Sequence, residues 1–203
     1  MRTSRAALPQ PVDSPNMTVV DEHGRPEPPA EGLLYHFSED PDINRFEPHV
    51  PRTNPSQRAA VWAIDHEHAP LYWFPRDCPR VVVFPLQVNQ RAAFQSRFTT
   101  GALRIHAIES GWLDRMRAAQ IYRYEFDAAA FSPWEEANGQ WIAETAVMPV
   151  SVTPVGDLFD AHTEAAIELR IVPSLWPLHD VVIASGFDFS MVRMHNAKPR
   201  TSP

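Results

Sequence analysis

His36 is the residue whose surroundings most clearly suggest a chemical role. It lies within the run Leu33-Leu34-Tyr35-His36-Phe37, which is apolar and aromatic apart from the histidine itself. A neutral imidazole carries one hydrogen-bond donor and one acceptor. A histidine in such a run therefore either bonds a backbone carbonyl in the core or binds a ligand, and the sequence leaves both interpretations open.

Two further stretches carry groups that can bind metals or act as nucleophiles. The histidines of His66-Glu67-His68 would point to different faces of a helix, and no third ligand follows at a standard spacing, so we predict no metal site. Cys78 lies between Arg76 and Arg80, which would lower the pKa of an exposed thiol. A structural cysteine in a turn is the alternative. The sequence contains no phosphate-binding loop and no nucleophile elbow.

The elements that would position these residues are short. The run around His36 reads as a buried strand that ends at the turn Ser38-Glu39-Asp40-Pro41, after which Ile43 and Phe46 are spaced as on one helical turn. Val61–Ile64 reads as a second strand, followed by a short helix over 65–74 that Asp65 caps. Altogether the patterns predict about seven short strands and three or four short helices.

These strands do not alternate regularly with long helices, which argues against a doubly wound parallel sheet. The sequence predicts an α+β fold with a mixed, mainly antiparallel split-sheet core and short helices. Residues 1–32 are rich in proline and poor in large apolar side chains, so we predict a disordered leader, with Met17 as an alternative start. A single globular domain is expected over 33–197, followed by a disordered tail over 198–203.

Composition excludes several classes of partner. The 203 residues carry a net charge of −7, which argues against general nucleic-acid binding and against an anionic membrane partner. The one cysteine allows no disulfide within the chain, and no apolar run is long enough to span a membrane. There is also no secretory signal pattern, so we predict a cytoplasmic protein.

Tyr35-His36-Phe37-Ser38 resembles the first strand of proteins with the ADP-ribosyltransferase fold. Val61–Ile64 followed by Ala69-Pro70-Leu71-Tyr72 is similar to their second unit, and Glu144 in Trp141-Ile142-Ala143-Glu144 occupies the third position. From about Leu33 to Ala197 the chain also resembles a family of small bacterial proteins of unknown function. The marks of that family include 75–80, 169–172 and 175–176.

The first resemblance implies an enzyme that uses NAD as a substrate and transfers ADP-ribose to an unknown acceptor, without a metal. It implies catalytic roles for His36, Tyr72 and Glu144, and a nucleotide held by His36, Tyr35, Tyr72 and Trp73. The chain departs from arginine-specific members, because it lacks their Ser-Thr-Ser strand and paired Glu-x-Glu.

Each implied role has a structural alternative. His36 and Tyr72 could be core residues and Glu144 an exposed strand carboxylate, in which case the chain is a non-catalytic binding or interaction module of the same fold. Arg170, Arg193 and Asn196 either reach an anionic ligand or have packing and surface roles, and the sequence favours the second interpretation.

Overall fold

The computed structural model describes residues 32–50, 56–135, 137 and 139–200. These residues form ten strands and four short α-helices. The strands are β1 Leu33–Ser38, β2 Val61–Ile64, β3 Arg80–Phe84, β4 Ile105–Glu109, β5 Tyr122–Asp127, β6 Ser132–Pro133, β7 Gln140–Ala143, β8 Ser151–Pro154, β9 Glu168–Val172 and β10 Asp188–Val192. The helices are α1 Arg91–Phe98, α2 Leu113–Ala118, α3 Leu158–Glu164 and α4 Trp176–Ile183.

The strands build two sheets. The larger has the order β6-β7-β2-β1-β5-β8, and all its neighbouring pairs are antiparallel. The smaller has the order β10-β3-β4-β9, in which only β4 and β9 are parallel. The predicted α+β class with a mainly antiparallel core is therefore confirmed.

The smaller sheet is buried at its centre because its inner strands carry few polar side chains. Every residue of β3 and β4 is buried, as expected for strands covered on both faces. One face packs against α1 and α4 through Phe94, Phe98 and Val182. The opposite face contributes Ile108 to a second cluster with Leu158 of α3.

Two local predictions were wrong. Residues 65–74 form only a 3₁₀ turn at Ala69–Tyr72, because Pro70 stands at its start and supplies no N–H to a longer helix. Asp65 does not cap this turn, whose N-cap is His68, but its Oδ1 accepts a hydrogen bond from the His68 N–H at 2.8 Å. Phe46 belongs to no helical turn and instead bridges Val147 in antiparallel fashion.

The domain limits stay a prediction. The leader lies outside the described residues, except for Gly32. At the other end Lys198 donates its backbone N–H to Glu109 at 2.9 Å, and Arg200 pairs with Asp180 at 2.8 Å, so the first residues assigned to the tail make contacts with α4 and β4. None of the helices within the described part of the chain has the length and apolar character needed to cross a bilayer.

Gly139 is held in a place that no other residue fits. Its φ is +74°, and a Cβ built there would lie 2.2 Å from Nδ1 of the buried His68. We expect Gly139→Ala to lower the free energy of unfolding by roughly 2–4 kcal/mol, because it adds backbone strain and displaces His68 from Asp65. Urea denaturation checks this against Gly111→Ala, where the Cβ meets open space. Equal stability of the two variants would contradict the prediction.

Candidate functional site

The candidate site lies where the larger sheet opens between β1 and β2. β1 is paired with β5 from Leu33 to Ser38, whereas its pairing with β2 is confined to Tyr35 opposite Ile64. Beyond Tyr35 the side chain of His36 crosses the gap, and its Nδ1–H donates to the carbonyl oxygen of Trp62 at 2.9 Å. The histidine therefore forms a bond between the strands where the ladder has none.

This hydrogen bond fixes the chemical state of His36. A carbonyl oxygen only accepts, so Nδ1 carries the proton and Nε2 of the neutral ring is an acceptor. Burial lowers the pKa of His36 below its usual value, which outweighs the opposing effect of the Trp62 carbonyl. At neutral pH His36 is thus an uncharged residue that can accept a hydrogen bond from a ligand hydroxyl.

A cavity of about 550 Å³ occupies the opening and extends between the two sheets. Of the residues predicted from the sequence, Tyr35, His36 and Tyr72 all line it. The rings of Phe37 and Tyr72 are parallel within 2°, with their centroids 6.3 Å apart. The structure therefore brings His36 together with Tyr35 and Tyr72, two of the three aromatic residues that were expected to meet it.

Trp73 and Glu144 lie elsewhere. Trp73 lines a separate cavity of about 220 Å³ with Arg123 and Thr153. Glu144 directly follows β7, is exposed, and pairs with Arg58. Neither residue is among the described residues that line the larger cavity, so their predicted roles stay predictions without support from this geometry.

Three arginines of the cavity wall were not predicted from the sequence to contact a ligand. For one of them, Arg193, a packing or surface role was favoured. Arg76, Arg80 and Arg193 all line the cavity. The signal was present for Arg80, because an arginine that begins an otherwise apolar, β-branched strand needs a reason to be there. Arg76 forms no ion pair with its neighbour Asp77, which instead lies 4.0 Å from Nε of Arg193.

The two other candidates for an anionic ligand have the structural roles that the sequence favoured. Arg170 donates to Glu168 at 2.7 Å and to the carbonyl oxygen of Phe98 at 2.6 Å. The side chain of Asn196 donates to the carbonyl oxygen of Asp77 at 2.8 Å. Both therefore hold backbone segments together.

The residues considered as metal ligands or as a reactive thiol are not placed for either role. His68 is buried and donates from Nδ1 to Asp65 at 2.8 Å, whereas His66 is exposed. Within the described ranges, no three His, Cys, Asp or Glu side chains come together as a possible metal site. Cys78 is fully buried, and burial raises its pKa to about 12, so the arginines nearby do not make it a thiolate.

Comparison with protein-family models matches residues 35–197 to a family described as "Family of unknown function (DUF6886)". The chain belongs to the DUF6886 family. The predicted membership of a family without an assigned function is thereby confirmed. No curated protein and no solved structure matches the chain. The role of the cavity in this DUF6886 protein is therefore inferred from the geometry of the cavity itself.

Proposed function

We propose that the cavity at the opening between β1 and β2 binds a nucleotide of the NAD type. The observation that carries the proposal is that His36 and Tyr72, which are far apart in the sequence, line one cavity together with Tyr35. Its volume falls within the range of about 300–1,000 Å³ that is usual for small-molecule sites.

The chemistry of these side chains suits a nucleoside. Nε2 of neutral His36 accepts a hydrogen bond from a ribose hydroxyl, as the Trp62 carbonyl already holds the ring in one orientation. Tyr72 offers an aromatic face to nicotinamide or adenine. Burial raises the pKa of Tyr72, so its hydroxyl stays neutral and can donate to the ligand.

Transfer of ADP-ribose would be the activity of such a site. The bond between the ribose and nicotinamide breaks, nicotinamide leaves with the bonding electrons, and the ribosyl carbon bonds to an acceptor hydroxyl that loses its proton to a base. A carboxylate stabilises the developing positive charge. Glu144 has this role by resemblance, whereas Glu39 is the one carboxylate among the described lining residues.

The second candidate is a non-catalytic nucleotide-binding module of the same fold. The exposure of Glu144 and its ion pair with Arg58 favour this candidate, because a carboxylate held outside the cavity does not reach a bound nucleotide. Both candidates share the binding step, so binding is tested first.

Calorimetry with NAD on the wild type and on His36→Ala tests that step. We expect saturable binding that weakens at least tenfold in the variant, because the ribose contact and the bond between the strands are both lost. His179→Ala is the matched control, since His179 lies on α4 and outside the cavity lining. Absence of binding by the folded wild type would contradict the proposal.

Release of nicotinamide then separates the two candidates. A transferase releases it, and the rate falls in either Glu39→Gln or Glu144→Gln according to which carboxylate acts on the ribose. A binding module retains intact NAD in all three proteins. Mass spectrometry of the NAD recovered from the protein distinguishes these results.

A further inference from the structure

Arg80 is a buried cation without a carboxylate partner. Arg80 is only 4% exposed. Its Nε donates to the carbonyl oxygen of Leu71 at 3.0 Å, and its Nη1 donates to that of Cys78 at 3.2 Å. Nη2 takes part in neither bond. No acidic side chain within the described residues forms an ion pair with Arg80, although almost every buried arginine is paired.

The groups that surround Arg80 offset only part of the cost of burying its charge. The guanidinium carbon lies 5.1 Å from the centre of the Phe74 ring and 5.8 Å from that of Tyr72, which are weak cation–π contacts. The pKa of Arg80 is lowered to about 10, mainly by burial and in part by the nearby positive charge of Arg193. Arg80 is nevertheless charged at neutral pH, and an isolated buried charge is expensive.

The cavity wall as a whole also has more positively than negatively charged side chains. It is lined by Arg76, Arg80 and Arg193, whereas Glu39 is the one carboxylate among the described lining residues. Three arginines and one glutamate give the lining two net positive charges, although the complete chain carries −7. A local positive charge in an acidic protein attracts an anionic ligand to that place.

We propose that the arginine-lined side of the cavity is a subsite for a diphosphate group, with Arg80 and Arg193 as its principal contacts. Guanidinium groups match phosphate oxygens in geometry and donate two parallel hydrogen bonds to them. A diphosphate diester carries two negative charges and balances those of the lining. The identification of this group as the diphosphate of NAD rests on the function proposed above, whereas the anion subsite itself does not.

Inorganic pyrophosphate is the probe that isolates the subsite. We expect it to bind the wild type in calorimetry and to raise its melting temperature, because it neutralises the buried charge of Arg80, which has no carboxylate partner among the described residues. Arg193→Gln should weaken this binding at least tenfold. Arg193 is only half-buried, and the hydrogen bond of its Nε to the carbonyl oxygen of Arg76 at 3.3 Å lies outside the core. Its replacement should therefore leave the buried core intact.

Arg80→Lys provides the second variant, because it retains the charge but loses the forked donor geometry. We expect it also to bind pyrophosphate at least tenfold more weakly. Arg117→Gln on α2 is the control for a change of one charge, since Arg117 is exposed and outside the cavity. If Arg80→Lys does not fold, Arg193→Gln decides the result.

The outcomes distinguish this inference from the proposed function. Pyrophosphate binding that depends on Arg193 supports the subsite even if NAD does not bind. NAD binding that depends on His36 but is unchanged in Arg193→Gln and Arg80→Lys would overturn the subsite and leave the nucleotide proposal intact. Failure of pyrophosphate to bind or stabilise the folded wild type would also overturn it.

Discussion

Replacing Glu109 with alanine is expected to lower the free energy of unfolding by roughly 3–5 kcal/mol, because two backbone N–H groups lose a charged acceptor. Glu109 ends β4 and is only 2% exposed. Its Oε1 accepts from the N–H of Leu175 at 3.2 Å, and its Oε2 accepts from the N–H of Lys198 at 2.9 Å. One carboxylate thus joins the smaller sheet to the beginning of α4 and to the last described segment.

The position of this carboxylate adds to its effect. Leu175 precedes the first turn of α4, where the helix dipole favours a negative charge and the N–H groups have no partner within the helix. Removing the side chain leaves an unpaired donor at the fully buried Leu175. The cost is therefore larger than that of a lost surface bond.

Two variants separate these contributions. Glu109→Gln keeps one oxygen acceptor and should lose about half as much stability as Glu109→Ala. Glu164→Ala removes an exposed carboxylate from α3 and should change stability by less than about 0.5 kcal/mol. Urea denaturation monitored by circular dichroism measures all three. A loss of less than about 1 kcal/mol in Glu109→Ala would contradict the assigned role.

The sequence predicted the elements of this fold where local pattern decides them. The run around His36 is a strand because apolar residues continue on both sides of the histidine, and the apolar run Val61–Ile64 is the second strand, as predicted. The predicted helix over 65–74 failed because Pro70 limits the turn more strongly than Asp65 extends it. The hydrophobic pattern does not show which of two such opposing residues determines the local backbone conformation.

The site was less accessible from the sequence, because it depends on contacts between distant parts of the chain. His36 bonds the carbonyl oxygen of Trp62 across 26 positions, and Arg193 reaches that of Arg76 across 117 positions. Tyr72 and Trp73 are neighbours in the sequence, but they line different cavities. Aromatic composition alone does not distinguish two such residues, since the direction of each side chain follows from tertiary packing.

A second large effect is expected from a buried pair of histidines. His162 on α3 donates from Nδ1 to the carbonyl oxygen of Leu158 at 2.6 Å, so its Nε2 is an acceptor. Nδ1 of His106 on β4 lies 2.9 Å from that Nε2 and donates to it. Nε2 of His106 is then an acceptor, buried and without a partner among the described residues.

Protonation of either ring is costly in this arrangement. A proton on His162 Nε2 would face the N–H of His106, and a proton on His106 Nε2 would place a cation in the core without an acceptor. Burial accordingly lowers the pKa of His106 well below 6.5, reinforced by His162 and Arg104, and burial also lowers the pKa of His162. The unfolded chain has no such restriction and binds both protons near pH 6.5.

The free energy of unfolding should therefore decrease as the pH falls below 6.5, because the unfolded state then binds more protons than the folded state. Each histidine contributes a slope of up to about 1.4 kcal/mol per pH unit while it stays neutral in the folded state, so the pair lowers the free energy of unfolding by up to about 3 kcal/mol between pH 6.5 and 5. The loss ends only where the pH reaches the lowered pKa of the folded state, and His36 acts in the same direction. Above pH 6.5 the slope fades, and from about pH 7.5 upward both states are neutral at these positions and no further change is expected.

Urea denaturation at intervals from pH 7.5 to 5 measures this dependence. His106→Leu should reduce the slope below pH 6.5 by up to about 1.4 kcal/mol per pH unit whatever its stability at pH 7.5, because a leucine of similar size binds no proton. Gly111→Ala, which changes no titratable group, should retain the slope of the wild type. If the slope of His106→Leu equalled that of the wild type, the loss of stability in acid would have to come from other groups, and the buried pair would not be its cause.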